Sequence, residues 1–200
     1  GVAVNGEGSV AVSCSWDMSI RIWDIDIGQQ LGELAPPSAI SSFLLGPGSS
    51  FVKLDAPATP TRVLARDSRQ IQAHDKEILD VAIAADGSEA VTCSVDGTVR
   101  LWDLDTGEQI AKLEGHGDWA WGIAMTPDGS RVASCGRDRT VVVWDMVLRR
   151  IWKKLVHVGE VLCVAIFDDG MTAVTGQGKD VLVWNVPLTK QTAALSGHTQ

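Results

Sequence analysis

The sequence has no apolar run that approaches the roughly 20 residues needed to cross a bilayer as a helix, which argues against a membrane-spanning segment. It is also poor in basic residues, because 17 Lys and Arg stand against 25 Asp and Glu, for a formal net charge of -8. An acidic chain lacks the electrostatic footprint of a nucleic-acid binder. Neither nucleic acid nor a membrane is therefore an expected partner.

Sequence patterns for metal ligands and nucleophiles are missing as well. The 4 cysteines and 4 histidines form no Cys-x-x-Cys or His-x-x-x-His pattern, and no nucleophile recurs beside a histidine. We therefore predict no catalytic residue, no metal site, no cofactor and no enzymatic activity. Cys14, Cys93 and Cys135 each precede a tryptophan by the same interval, which is typical of small buried residues in equivalent positions and predicts a reducing compartment.

Tryptophans and histidines recur with one common period of roughly 40 residues, a length typical of repeat architectures. The histidines are almost evenly spaced, and they are His74, His116, His157 and His198. The periodic tryptophans keep the same spacing except for one interval that is about twice as long, and they are Trp23, Trp102, Trp144 and Trp184. A spacing shared by two residue types predicts stacked copies of one structural unit, with the long interval from Trp23 to Trp102 counting as two periods.

Each unit has the pattern of a four-stranded meander. In the copy that begins at His74, β-branched segments at 78–83, 90–94, 98–103 and 108–113 alternate with Asp-Gly and Thr-Gly turns. Short β-branched strands joined by such turns predict antiparallel pairing of consecutive strands. The copy that begins at His116 repeats the order of strands and turns.

These motifs resemble the WD-repeat (WD40) β-propeller family. The resemblance rests on Gly-His pairs, on a turn Asp and on closing Trp-Asp pairs, which are Gly115-His116, Gly197-His198, Trp23-Asp24, Trp102-Asp103 and Trp144-Asp145, with Trp184-Asn185 as a variant. It implies an all-β propeller of four-stranded antiparallel blades arranged around a channel. Propellers of this family usually close with about seven blades, whereas we expect about five here, in an incomplete ring.

The family also implies a hydrogen-bonded relay of His, Ser or Thr, Asp and Trp within a blade, since a buried imidazole and a buried indole N–H need partners. Two copies have every member, namely His74, Thr92, Asp96 and Trp102, then His116, Ser134, Asp138 and Trp144. Two copies have part of the set, namely Ser13, Asp17 and Trp23, then His157, Thr175 and Trp184.

We expect one domain over 1–200, cut from a longer array. The predicted repeats are about 1–34, 35–73, 74–115, 116–156 and 157–197, and 198–200 would open the next one. The copy at 35–73 is degenerate, because Leu64 takes the tryptophan position and Ala35 the histidine position. The closely matched copies resemble arrays attached to NACHT-type signalling proteins.

Tryptophans outside the period are candidates for partner binding. Trp16, Trp119 and Trp121 occupy positions that, in such propellers, open on the face with the loops before the first strand and between the second and third strands. Aromatic residues beside charges are typical of protein-binding hot spots. The candidate set is Trp16, Glu77, Leu79, Trp119, Trp121, Arg137, Glu160 and Leu162. Gap filling between blades is the alternative for Trp119 and Trp121.

The leading functional hypothesis is a non-catalytic scaffold or sensor in a signalling protein, which binds a protein or peptide partner on this face. A purely architectural propeller that packs against other domains of its own chain is the alternative, and a propeller enzyme is a third. Flanking blades of the parent chain are further expected partners, and a cytoplasmic location is expected.

Overall fold

The computed structural model describes residues 1–25 and 73–196 in full and 29–34 as a strand. Four sheets of four antiparallel strands make up this part of the chain, and in each sheet the strands pair in chain order. No helix occurs among the described residues, so none there could span a membrane. The strands are β1 Val2–Val4, β2 Val10–Cys14, β3 Ile20–Asp24, β4 Gln29–Leu34, β5 Ile78–Ile83, β6 Glu89–Ser94, β7 Thr98–Asp103, β8 Gln109–Glu114, β9 Ala120–Met125, β10 Arg131–Gly136, β11 Thr140–Asp145, β12 Arg150–Val156, β13 Cys163–Ile166, β14 Thr172–Gln177, β15 Asp180–Asn185 and β16 Lys190–Ser196.

The turns explain why the chain reverses where it does. Between β5 and β6, the Asp86 carboxylate accepts the Ser88 N–H at 2.9 Å, and Gly87 adopts a φ of 67°. Between β9 and β10, Asp128, Ser130 and Gly129 repeat this arrangement. A side-chain acceptor fixes the turn, and glycine supplies the left-handed backbone at no steric cost.

All four sheets share one irregularity at the periodic tryptophan. The pairing of the third and fourth strands shifts register immediately before this residue in every sheet, and the tryptophans are Trp23, Trp102, Trp144 and Trp184. A bulge at the same position in each copy confirms that the sequence period reports one repeated structural unit.

The core lies between sheets rather than within one. Val12 and Ile20 of the first sheet pack with Ile78 and Trp102 of the second in one buried cluster. A second cluster joins the second and third sheets, and a third cluster joins the third and fourth. Face-to-face packing of consecutive sheets through their apolar residues is the arrangement of propeller blades.

The first and second sheets are direct neighbours, which differs from the predicted blade order. The Gly6 N–H donates to the Ala85 carbonyl at 2.9 Å, and the Ala85 N–H donates to the Pro127 carbonyl at 3.1 Å. The same bond therefore links the first sheet to the second and the second to the third. The predicted degenerate repeat at 35–73 lies, except for Ala73, outside the described residues. Among the described residues, no sheet lies between the first sheet and the second.

The four described sheets do not close a ring, and no described sheet covers one face of the fourth, which we call the open flank. Leu113, Leu155 and Leu195 occupy equivalent positions in three sheets. Leu113 and Leu155 are 5% and 1% exposed, whereas Leu195 is 59% exposed. Because all three positions hold leucine, the difference in exposure arises because no described sheet covers the fourth sheet. Among the described sheets, the open flank is thus an apolar blade face without a neighbour.

Candidate functional site

The second sheet holds a relay that is sealed from solvent. His74 lies with Nδ1 3.0 Å from an Asp96 oxygen and Nε2 2.8 Å from the Thr92 hydroxyl, and the Trp102 indole N–H donates to that hydroxyl at 2.9 Å. The Asp96 carboxylate only accepts, so His74 Nδ1 donates to it, and because burial lowers the pKa of His74 the ring is neutral and Nε2 accepts the Thr92 hydroxyl proton. His74 is therefore the neutral tautomer with the proton on Nδ1, which donates to Asp96.

The third sheet repeats the relay with nearly the same geometry. His116 lies 3.1 Å from Asp138 and 2.8 Å from Ser134, and Trp144 donates to Ser134 at 2.9 Å. Gly115 precedes this histidine because a Cβ there would lie 2.6 Å from Cη2 of Trp144. The structure thus brings together all eight residues predicted for the two complete relays.

The incomplete relays keep their tryptophan end. Trp23 donates to Ser13 at 2.9 Å, and Asp17 in that sheet accepts from Ser19 instead of a histidine. In the fourth sheet, Trp184 donates to Thr175, which lies 3.0 Å from His157. No Asp occupies the turn there, and His157 Nδ1 lies 3.3 Å from its neighbour, the Leu155 carbonyl. The missing carboxylate is thus replaced by a backbone acceptor.

Burial and hydrogen bonding shift the pKa values of the relay groups. Burial lowers the pKa of His74 below 6.5 despite the adjacent Asp96, and burial also lowers the pKa of His157. Burial alone would raise the pKa of the Asp96 carboxyl, but hydrogen bonds from His74 and Thr98 hold it well below its usual range. Asp138 is held low in the same way by His116 and Gly117.

These shifts predict a protein that loses stability in acid. The unfolded chain binds protons at His74 and His157 below pH 6.5 while the folded chain does not, so the free energy of unfolding falls as the pH drops through that value. The free energy of unfolding falls a second time below pH 3.8. There the Asp96 and Asp138 carboxyls bind protons in the unfolded chain but stay ionised in the folded protein. Urea unfolding at about pH 8, 5.5 and 2.5, which lie on either side of the two steps, measures the effect. His74→Gln is expected to flatten the first step, and a Glu77→Gln control is not. A constant unfolding free energy between pH 8 and about 5 would contradict this assignment.

A second set of residues lies on one edge of the sheets, which we call the upper face. This edge carries the loops before β5, β9 and β13 and the turns β2–β3, β6–β7, β10–β11 and β14–β15. The Val95 N–H donates to Glu77 and the Arg137 N–H to Trp119, so each turn is hydrogen-bonded to the loop beside it. Glu77 and Glu160 are exposed on this face.

Trp16 is a strongly exposed aromatic side chain of the upper face. It lies in the β2–β3 turn and is 78% exposed. The equivalent turn position holds Val95 in the second sheet and Arg137 in the third. An indole with this exposure contributes little to the core, and the same turn forms without it.

A compact cluster joins the third and fourth sheets on the same face. The Arg137 guanidinium lies over the Trp119 ring, 5.2 Å from its centre. Its Nε lies 3.4 Å from Glu160 of the fourth sheet and 3.9 Å from Asp118 of the third. The Trp119 ring in turn contacts Trp121, with 5.5 Å between ring centres. We call Trp119, Asp118 and Glu160, with Arg137 between them, the arginine cluster.

Trp121 does not belong to the upper face as predicted. Trp121 packs into the apolar cluster between the third and fourth sheets, with its indole nitrogen buried. The gap-filling alternative therefore describes Trp121. Leu162 occupies the equivalent position in the fourth sheet, where it is 54% exposed and lies beside Glu160. Leu79, the third residue at this position, is half-buried. The upper-face candidates are then Trp16, Glu77, Trp119, Arg137, Glu160 and Leu162.

Two contacts were not found from the sequence. The sequence does not identify Asp118 as a candidate, because Lys76 and Gly159 hold the equivalent positions and no carboxylate recurs there. Asp80 accepts the Ile123 N–H at 3.1 Å and ties the second sheet to the third, although glycine or cysteine stands in its place elsewhere. Both contacts can be recognised only in the folded structure. No group of His, Cys, Asp and Glu suited to a metal ion occurs in the part of the chain that the structure describes.

Comparison with known families assigns the chain. The profile of the family described as "WD domain, G-beta repeat" matches residues 1–24, 66–103 and 107–145, just over half of the sequence. The chain belongs to this family. Proteins of the WD-repeat family are generally protein-interaction scaffolds and are typically not enzymes.

Individual relatives agree with this assignment. A stretch of 128 residues is 30% identical to a guanine nucleotide-binding protein subunit beta of Nicotiana plumbaginifolia, covering 58% of this chain and 34% of that protein. A stretch of 116 residues is 26% identical to the U3 small nucleolar RNA-associated protein 21 homolog of Schizosaccharomyces pombe, covering 56% of this chain and 13% of that protein. The solved structure of U3-55K has a TM-score of 0.75 at 20% identity and covers 99% of this chain and 51% of that chain, a likeness that shows the fold. The chain thus spans about half or less of each of these proteins.

Proposed function

We propose that this WD-repeat chain is a non-catalytic platform that binds a protein or peptide partner on its upper face. The observation that carries the proposal is Trp16, a large apolar side chain that is 78% exposed in a turn. The fold does not require it, because Val95 and Arg137 serve the equivalent turns. Exposed aromatic residues that the core does not use are typical of binding hot spots.

The arginine cluster supports the same face. Trp119 is half-buried, but its ring holds the side chain of Arg137, which is 46% exposed. Two carboxylates from different blades complete the cluster. A rigid aromatic surface surrounded by charges gives both contact area and charge selectivity. An architectural role, in which the same face packs against other domains of its own chain, uses the same side chains and is the second candidate.

The proposal extends to the setting of the chain. Flanking blades would cover the open flank of the fourth sheet, which supports membership of a longer array. The matched repeats and the acidic charge support a cytoplasmic signalling role without nucleic acid, in an array of the kind that follows a NACHT-type switch. A propeller enzyme is disfavoured because each relay histidine already has a structural partner.

Paired substitutions test the platform. Trp16→Ala and Trp119→Ala are each expected to reduce partner capture from an extract at least fivefold, with thermal midpoints within about 2 °C of the unaltered protein. Val147→Ala is the matched control, because Val147 is also 78% exposed but lies in the β11–β12 turn on the opposite edge. Equal capture by all variants would refute the platform. A large fall in the thermal midpoint of the Trp16 variant would assign that residue to packing.

A further inference from the structure

We propose that Trp119, Asp118 and Glu160 form a receptor for a basic side chain of the partner, and that Arg137 occupies this receptor in the free protein. The inference rests on the proposed function and names the chemistry of the partner. Arg137 lies against the Trp119 ring at 5.2 Å, and its Nε is within 3.9 Å of both carboxylates. An aromatic face with two carboxylates is a surface that favours a cation.

The receptor is held in place by its surroundings rather than by Arg137. Trp119 contacts Trp121, which is packed in the core between the third and fourth sheets. Asp118 bonds to the backbone of its own loop through the Trp119 N–H at 2.8 Å. The aromatic face and one carboxylate are therefore preorganised before any partner arrives.

Arg137 is not needed for the fold at its position. Its backbone N–H donates to the Trp119 carbonyl at 2.9 Å, and the Val95 N–H makes the equivalent bond at 3.0 Å in the second sheet. The turn thus forms equally well with an apolar side chain. Arg137 is also 46% exposed, and Glu160 is 49% exposed. Exposed ion pairs of this kind are weak, so a partner's cation can displace Arg137 at little cost.

Charge and space favour a basic partner over an acidic one. The cluster carries two carboxylates against one guanidinium, and the whole chain carries a net charge of -8. The net charge of the chain therefore favours association with a basic partner over an acidic one. Beside Glu160 opens a cleft of about 560 Å³, lined also by Leu162, Gln177 and Lys179. This cleft gives a peptide backbone room next to the receptor.

A defined peptide probe tests the receptor. Acetyl-Gly-Gly-Arg-Gly-Gly-amide, its lysine analogue and its neutral citrulline analogue are titrated against ¹⁵N-labelled protein, with the Trp119 indole resonance as the readout. We expect the arginine peptide, and to a lesser degree the lysine peptide, to shift this resonance, and the citrulline peptide to leave it in place. Glu160→Gln is expected to weaken arginine-peptide binding at least threefold.

The decisive variant removes the occupant. Arg137→Gln is expected to bind the arginine peptide at least threefold more tightly than the unaltered protein. Arg139→Gln, in the same turn, changes the net charge equally but leaves the cluster intact, and its affinity is expected to stay within twofold. Weaker binding by Arg137→Gln, tighter binding of a glutamate peptide, or no Trp119 shift at millimolar peptide would each overturn the receptor. If partner capture still depended on Trp16 and Trp119, only this inference would fail, and the platform would stand.

Discussion

Replacing Trp102 with alanine is expected to lower the free energy of unfolding by about 3–5 kcal/mol, a large part of the roughly 5–15 kcal/mol that holds a domain together. Two effects add. The indole is 0% exposed and packs between the first and second sheets, so its loss leaves a cavity. Thr92 also loses the donor that orients its hydroxyl toward His74.

A conservative variant separates these two effects. Trp102→Phe keeps an aromatic ring in the core but removes the indole N–H, and it is expected to cost about 1–2 kcal/mol. Trp16→Ala is the control on the same residue type, with an expected change within about 0.5 kcal/mol. Urea unfolding of the three variants gives the values. Equal losses for the Trp102 and Trp16 alanine variants would contradict the distinction between relay and surface tryptophans.

Leu155→Glu is expected to be about as damaging, because it buries a carboxylate without a partner at a position that is 1% exposed, at a cost of about 3–5 kcal/mol. Leu195→Glu makes the same chemical change at the equivalent position of the fourth sheet, where the side chain is 59% exposed. Its expected effect on unfolding is within about 0.5 kcal/mol.

The same pair reports on the open flank. An exposed apolar blade face promotes association, so the unaltered protein is expected to self-associate as its concentration rises, and Leu195→Glu to reduce this in sedimentation. Destabilisation of Leu195→Glu to the same degree as Leu155→Glu would mean that a sheet covers the flank. A sharp monomer peak for the unaltered protein would also count against the open ring.

The periodic residues allowed the fold and the complete relays to be predicted, because they report contacts within one blade. The separation between His74 and Trp102 recurs unchanged between His116 and Trp144. The period does not report which blades are neighbours. The spacing of the tryptophans alone therefore does not predict that the first sheet packs directly on the second, because the long interval between Trp23 and Trp102 equals two periods.

Side-chain direction was the other element that the sequence did not determine. Trp119 and Trp121 lie close together in the sequence and were equal candidates, yet Trp121 enters the core and Trp119 stays at the upper face. The difference depends on where β9 begins, at Ala120, and element boundaries are poorly defined by periodicity. The role of Asp118 depends on Arg137 and Glu160, which lie in other turns and loops.

The most direct test of the account is hydrogen exchange at the tryptophan indoles, followed by NMR in the unaltered protein. The relay geometry predicts that the Trp102 and Trp144 indole N–H groups, bonded to Thr92 and Ser134, exchange only when the protein unfolds. The Trp16 indole is expected to exchange at nearly the rate of a free side chain. Fast exchange at Trp102 and Trp144 would contradict the account of rigid blades held by the relays. Strong protection at Trp16 would contradict the account that this side chain is exposed and available to a partner.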